Sequence, residues 1–137
     1  MNREEIKSYL PHREPMLLLD DVAIEGDTAV GHYLVRGDEY FLQGHFPERP
    51  IVPGVVLCEI MAQSSALLVR DELQGRLALY TGLDNIRFRA EVHPNETIEI
   101  RSRITARRGT NFFIDASATV TGRKVCDGRL SFKIVDR

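Results

Sequence analysis

A histidine and a glutamate in this chain stand where a titratable side chain is costly to keep. The segment Gly44-His45-Phe46-Pro47 leads into Pro53-Gly54, and Glu59 follows inside an almost wholly apolar run over residues 55–69. A carboxylate in apolar surroundings must be paired, hydrogen-bonded or protonated. A carboxylic acid held neutral near pH 7 within reach of a histidine can serve as a general acid/base pair. We therefore take His45 and Glu59 as the candidate catalytic pair.

The apolar run that carries Glu59 has the length and pattern of a helix. Because residues 55–69 are apolar on almost every face, we expect this helix to be buried on most sides. Pro53 suits the first helical position, where a missing N–H costs nothing. The backbone N–H of Gly54 lies at the helix start, where unpaired N–H groups favour negative charge. Gln63 follows Glu59 by one turn, so it can hydrogen-bond and orient the acid.

The elements around this helix follow from the hydropathy pattern. Residues 3–9 suggest a short helical turn, residues 17–24 and 29–35 suggest two strands, and a Gly- and Pro-rich loop spans residues 37–53. The second half alternates with period two, which is typical of antiparallel strands with one wet face. The alternating segments are 86–92, 98–107, 112–121 and 129–134.

A helix that is apolar all round needs a sheet that wraps it, because a flat face cannot cover it. The pattern thus predicts an α+β fold, a curved antiparallel sheet around a long central helix, which is the hotdog architecture. With 137 residues, the chain fits one domain spanning 1–137. Such a small sheet has open edges, so edge-to-edge dimerisation is expected.

Composition narrows the class of protein. Hydrophobic residues make up 43% and charged residues 28%, as in ordinary globular proteins. No apolar run is long enough for a membrane span, and the first residues lack the apolar region of a signal peptide. Cys58 lies in the apolar helix, so buried free thiols are favoured over a Cys58–Cys126 disulfide. We expect a cytosolic protein.

The charge is unevenly distributed along the chain. Residues 1–86 carry 7 Lys/Arg and 14 Asp/Glu, a net charge of -7, whereas residues 87–137 carry 11 and 6, a net charge of +5. A basic half suggests an anionic partner, but it lacks the aromatic-basic interleaving that would point to nucleic acid. The four histidines lack metal-ligand spacing, so no metal site is predicted. Of the other three, His12 and His93 are expected to be structural or on the surface, and His32 to face solvent.

Four blocks of sequence resemble one known family. They are LPHREPMLLLD (10–20), GHFPERPIVPG (44–54), EIMAQ (59–63) and YTGLDNIRFR (80–89). In this order and at this spacing they resemble the FabZ-type (3R)-hydroxyacyl-[acyl-carrier-protein] dehydratases, over nearly the whole chain. Two departures are Glu48, where the family often has Gly, and Asn95, where a Pro-Gly turn is usual. Neither removes a catalytic atom.

The resemblance implies β-elimination of water from a (3R)-hydroxyacyl thioester, giving the trans-2-enoyl thioester without cofactor or metal. His45 would be the base, and Glu59 would give the leaving hydroxide a proton, directly or through water. The Gly54 N–H would stabilise the enolate oxygen and Gln63 would orient the acid. Tyr80 would line the acyl tunnel or pack in the core. By resemblance, His45 of one subunit and Glu59 of its partner form each site.

The resemblance also implies partners. The substrate would arrive on a phosphopantetheine arm of acyl carrier protein, and the protein would be a homodimer or a trimer of dimers. An acidic carrier would favour a basic rim at the tunnel mouth, whereas a solvated sheet face is the default explanation for exposed arginines. The candidates for the rim are Arg87, Arg89, Arg101 and Arg103.

Other functions remain open on the sequence. A dehydratase that also isomerises the 2-trans product to 3-cis can keep the same glutamate. Thioester hydrolysis is a less favoured function, because the enzymes of this fold that catalyse it usually lack the His-Phe-Pro…Pro-Gly block. A non-catalytic acyl-binding protein would have lost His45 or Glu59. Each of these two residues also has a structural alternative, with His45 satisfying loop backbone and Glu59 pairing with an arginine such as Arg13.

Overall fold

The computed structural model describes residues 1–137 as one antiparallel sheet with a long helix packed on it. The elements are α1 (Arg3–Ile6), β1 (Asp21–Glu25), β2 (Thr28–Leu34), α2 (Gly54–Ala66), a 3-10 helix (Leu67–Glu72), β3 (Arg76–Phe88), β4 (Thr97–Arg108), β5 (Asn111–Val120) and β6 (Arg123–Asp136). The strand order is β1-β2-β4-β5-β6-β3, and every neighbouring pair is antiparallel. The predicted α+β class is confirmed.

Helix α2 lies against the inner face of the sheet, in contact with β2, β4, β5 and β6. Nine of its residues are buried, including the polar Gln63, Ser64 and Ser65. The helix packs closely on β2, since a Cβ added to Gly31 would lie 2.4 Å from Ser64 Oγ. The expectation of a helix buried on most sides is confirmed, and only its first turn, with Val55 74% exposed, faces outward.

The ends of α2 differ from the sequence prediction. Its first residue is Gly54 and Pro53 is the N-cap, whereas Pro53 was expected inside the helix. The α-helix stops at Ala66, and the chain tightens into the 3-10 helix. Val69 there has φ -115° and ψ 26°, outside the helical region. The last residues of the predicted helix therefore follow a different path.

Two predicted strands also have different bounds. Residues 17–20 form no strand, because the Leu18 N–H donates to the side-chain oxygen of Gln63 and not to a neighbouring strand. Strand β3 covers Arg76–Phe88 and not 86–92, and its pairing with β6 shifts register between Asp84 and Arg87. This irregularity turns Phe88 outward, 57% exposed, where alternation predicted an inward side chain.

Strand β3 forms one edge of the sheet, because it pairs with β6 alone. Four large apolar or aromatic side chains on this edge strand are between 43% and 57% exposed, namely Leu79, Tyr80, Leu83 and Phe88. An edge strand of this length with apolar side chains is a surface on which a further strand can pair.

Cys58 and Cys126 are both free and buried, as predicted. No helix combines the length and apolar character that crossing a membrane requires. No three His, Cys, Asp or Glu side chains cluster as metal ligands would.

Candidate active site

Glu59 lies in the middle of α2, with its carboxylate aimed at the loop over residues 7–20 and at strand β3. One carboxylate oxygen, Oε2, is 2.9 Å from Gln63 Nε2 and 3.4 Å from His12 Nε2. The other, Oε1, is 3.2 Å from the Tyr80 hydroxyl. The side chain is 23% exposed, so part of the carboxylate still reaches open space.

Gln63 uses its whole side-chain amide to hold this arrangement. Its Nε2 donates to Glu59 and, at 2.7 Å, to the carbonyl of Met16. Its Oε1 accepts from the Leu18 N–H at 2.8 Å. Because a backbone N–H can only donate and a carbonyl can only accept, these contacts fix which way the amide points. The predicted contact between Gln63 and Glu59, one helical turn apart, is present.

Tyr80 approaches the acid from the edge strand. Its hydroxyl lies 3.2 Å from Glu59 Oε1 and 3.2 Å from the carbonyl of Cys58, and its ring stacks on Phe132. Burial, and then the charge of Glu59, raise the pKa of Tyr80. The hydroxyl therefore stays protonated and donates. The structure places Tyr80 on a cavity wall and not within the closed core.

The protonation state of Glu59 differs from the expectation of a neutral acid. Burial alone would raise the pKa of Glu59, but His12, Gln63 and Tyr80 favour the charged form more strongly, so the pKa lies below its usual value. The sequence indicated the apolar helix and the contact with Gln63, but not the polar groups of His12 and Tyr80 that two other segments bring to Glu59. In this single chain, Glu59 is a carboxylate at neutral pH.

His12 is the site residue that sequence reasoning missed. It was expected to be structural or on the surface, yet its ring lies beside the Glu59 carboxylate. Arg13, the suggested structural partner of Glu59, instead donates to the carbonyls of Lys7, Leu10 and His12. The sequence signal was available, because His12 belongs to the first of the four family-like blocks. His32 and His93 pair with acidic side chains at the surface. The contact of His32 with Asp21 is the one expected of a solvent-facing side chain.

A cavity of about 200 Å³ opens next to Glu59. Nine of its 14 lining residues are hydrophobic. The polar atoms that Glu59, His12, Gln63 and Tyr80 contribute lie together on its wall. A mostly apolar cavity with a few convergent polar groups is the usual form of a small-molecule site, and this one suits an acyl chain ending in a polar reacting group.

His45 lies in the loop before α2, next to a different cleft. Its Nδ1 is 3.2 Å from the carbonyl of Ile51. Because a carbonyl can only accept, this contact requires Nδ1–H and leaves Nε2 of the neutral ring with a free lone pair. A base at Nε2 is thus available. The loop-backbone contact suggested as the structural alternative also exists, and it fixes the orientation of the ring.

Gly54 starts α2 at the same cleft, which Val55, Phe88 and Arg89 also line. No side chain caps this helix end, so its first N–H groups lack an intrahelical partner and can meet a developing negative charge. A Cβ added to Gly54 would lie 2.8 Å from the Phe88 ring. Any larger residue here would require the Phe88 ring to move.

The single chain does not bring His45 and Glu59 to one site, because they line two separate cavities. The four candidate arginines also divide. Arg89 lines the His45 cleft and pairs with Asp127 at 2.6 and 3.2 Å. Arg101 and Arg103 lie together on another surface of the sheet, and Arg87 is exposed on β3.

Solved structures identify the fold. The chain superposes with a TM-score of 0.83 on the dehydratase heterocomplex ApeI:P from Xenorhabdus doucetiae, at 20% identity over 96% of this chain and 91% of that one. It superposes with a TM-score of 0.73 on a mutant thioesterase, PA1618, from Pseudomonas aeruginosa, at 12% identity over 100% and 96%. The protein is a hotdog-fold protein, as predicted.

Sequence comparison identifies the family within this fold. A family model described as FabA-like domain matches residues 10–129. The 3-hydroxyacyl-[acyl-carrier-protein] dehydratase FabZ of Bacillus velezensis is 40% identical over 98% of both chains. That of Clostridium perfringens is 41% identical over 98% of this chain and 99% of its own, and that of Bacillus subtilis 38% over 98% of both. The chain belongs to the FabZ family of 3-hydroxyacyl-[acyl-carrier-protein] dehydratases, which confirms the resemblance seen in the four sequence blocks.

Proposed function

We propose that this chain catalyses the dehydration of (3R)-hydroxyacyl-[acyl-carrier-protein] to the trans-2-enoyl thioester in fatty-acid elongation. Near-full-length similarity to FabZ enzymes supports the reaction class. The observation that carries the proposal is the Glu59 carboxylate at the wall of an apolar cavity, oriented by donors from three segments. A purely structural carboxylate would not need an adjoining cavity of this kind.

The chemistry assigns one step to each group. The free Nε2 of His45 takes the proton from C2, and the electron pair is delocalised onto the thioester oxygen as an enolate; the pair then forms the C2–C3 double bond as the C3–O bond breaks. Glu59 supplies the proton with which the hydroxide leaves as water. The Gly54 N–H stabilises the thioester oxygen while it carries negative charge. Because the single chain favours the Glu59 carboxylate, closure by substrate and partner must first raise its pKa.

We propose that the working unit is a homodimer in which the two β3 edges pair. The exposed apolar side chains on β3 support this, since Leu79, Leu83 and Phe88 would be covered by a second copy. The separation of His45 and Glu59 into two cavities of one chain also supports it. A partner's His45 would complete the site around Glu59, as the family resemblance implies.

We propose acyl carrier protein as the substrate carrier, with Arg89 the strongest of the four arginine candidates. Arg89 is half exposed and lines the cleft that holds His45 and Gly54. A positive charge at this rim would attract the acidic carrier while its phosphopantetheine arm enters. Arg87, Arg101 and Arg103 remain candidates for a wider basic surface.

We also propose that residues 1–137 form one domain and that the protein acts in the cytosol. One cluster of 33 buried residues, from Ile6 to Ile134, supports a single core. Two free thiols suit a reducing compartment.

The test uses purified protein with 3-hydroxybutyryl- and 3-hydroxydecanoyl-carrier protein, with the products analysed by mass spectrometry and chromatography. We expect loss of one water to give the 2-trans product, abolished in His45→Ala and retained in His32→Ala, a surface histidine. A 3-cis product would assign the bifunctional dehydratase and isomerase instead. No water loss at either chain length would refute the proposed reaction and favour a non-catalytic acyl-binding protein.

A further inference from the structure

His12 makes one polar side-chain contact, and that contact is with Glu59. Its Nε2 lies 3.4 Å from Glu59 Oε2, while its Nδ1 is buried without a hydrogen-bond partner. A carboxylate oxygen can only accept a hydrogen bond. The ring therefore meets Glu59 as a donor through Nε2.

Hydrogen bonds hold the loop that carries His12 together and attach it to α2. Arg13 donates to three carbonyls of the loop, at 2.7 to 3.2 Å. Gln63 holds the same loop through Met16 and Leu18 and also contacts Glu59. The loop backbone at His12 and the carboxylate of Glu59 are thus each held by separate hydrogen bonds, so the contact is built into the fold.

Few other groups can set the charge of Glu59. Cys58 precedes it on α2 and faces the core, Gln63 is neutral, and Tyr80 donates from β3. Tyr9 from the same loop and Arg76 from β3 line the adjoining cavity. Among the groups that contact the carboxylate itself, His12 is the only one that the loop before β1 contributes.

We propose that His12 is a positioning residue for Glu59: it holds Oε2 in place and sets the pH at which the acid gives up its proton. This inference rests on the proposed dehydration, in which Glu59 must be protonated when water leaves. A donor at Oε2 favours the carboxylate, so removing it raises the pKa of Glu59. Because a general acid works in its protonated form, the alkaline limb of the kcat profile then moves to higher pH.

Two substitutions of His12 should change the pH profile by different amounts. His12→Leu removes the donor, and His12→Gln keeps a neutral N–H that can reach the carboxylate. We expect the alkaline limb of the kcat profile to move to higher pH by about 0.5 unit or more in His12→Leu and by less in His12→Gln. KM should stay within about twofold of the wild-type value in both variants. His32→Gln, in a histidine paired with Asp21 on the surface, is the matched control and should leave the profile in place.

A second readout does not depend on activity. A carbon-13 titration of the Glu59 carboxyl, assigned by its loss in Glu59→Gln, should show a higher pKa in His12→Leu than in wild type. The proposed role of His12 would be overturned if the Glu59 carboxyl titrated at the same pH in His12→Leu and in wild type. It would also be overturned if kcat fell equally at every pH and the alkaline limb of its profile stayed in place. Should His12→Leu not fold, the same comparisons with His12→Gln decide. A wild-type protein without dehydratase activity would refute the proposed function, while the titration still tests the His12–Glu59 coupling.

Discussion

Gln63 Nε2 lies 2.9 Å from Glu59 Oε2, one turn further along α2. The same amide also binds the backbone of Met16 and Leu18, two positions on the loop that carries His12. One side chain thereby joins the helix that carries the acid to the loop that carries its second donor. Glu59 is positioned by this link, and its remaining exposed edge faces the cavity where a substrate would bind.

Loss of either proposed proton carrier should abolish turnover, and mixing the two variants should restore part of it. His45→Ala and Glu59→Gln are each expected to lower kcat by about 100-fold or more. Co-refolding equal amounts of the two variants makes half of the dimers mixed. If each site takes His45 from one chain and Glu59 from the other, every mixed dimer has one intact site. About a quarter of wild-type activity should return. No recovery, with mixed dimers demonstrated by mass spectrometry, would place both residues within one chain.

Adding one methyl group at the start of α2 should impair catalysis. In Gly54→Ala the new Cβ would lie 2.8 Å from the Phe88 ring and would narrow the approach to the helix N-terminus. We expect kcat to fall by about tenfold or more, as when an oxyanion donor is obstructed. The double variant with Phe88→Leu relieves the clash and should regain thermal stability without regaining kcat. Full recovery of kcat would mean that Gly54 matters only for packing.

Charge reversal should show which of the candidate arginines contacts the carrier protein, because only the carrier-bound substrate should lose affinity. Arg89→Glu places a negative charge in the His45 cleft and also breaks the pair with Asp127. We expect KM for a carrier-bound substrate to rise by about tenfold and KM for the coenzyme A thioester to change little. Arg103→Glu, away from both proposed cavities, is the comparison. An equal rise in Arg103→Glu would extend the carrier surface across the sheet, and equal effects on both substrates would remove Arg89 from carrier binding.

The stability contributed by Glu59 should depend on pH. Because its folded-state pKa lies below the unfolded value, its contribution is fully present above the unfolded pKa and is lost as pH falls through the folded one. Wild type should therefore exceed Glu59→Gln in Tm at pH 7, and the two should converge as the pH falls through the folded-state pKa of Glu59. Thermal unfolding measured from pH 7 downward checks this. A Tm difference that widened on acidification would show that the folded pKa is raised.

The contact between α2 and β2 should tolerate no extra atom. In Gly31→Ala the Cβ would lie 2.4 Å from Ser64 Oγ, and we expect a loss of about 1–3 kcal/mol in the free energy of unfolding. Ser64→Ala removes a buried hydroxyl that has no partner, so its own cost should be within about 1 kcal/mol. The double variant should be more stable than the sum of the single effects predicts. Strict additivity in urea unfolding would show that the two residues do not clash.

The sequence alone determined the class of fold and the buried helix, and it predicted the residues proposed to carry the chemistry. Hydrophobic periodicity is a local property, so the apolar run after Gly54 and the alternation in β4, β5 and β6 could be interpreted without the structure. The Gln63–Glu59 contact was also predictable, because the two residues are one helical turn apart on the same helix.

Tertiary structure decided the rest, since it depends on groups far apart in the chain. The Leu18 N–H donates to the side-chain oxygen of Gln63, which lies 45 residues away in sequence, so this N–H does not pair with a neighbouring strand. The register shift that turns Phe88 outward arises where β3 meets β6. Above all, His12 and Tyr80 reach Glu59 only when the loop and the edge strand pack against α2, where they help to lower a pKa that burial alone would raise.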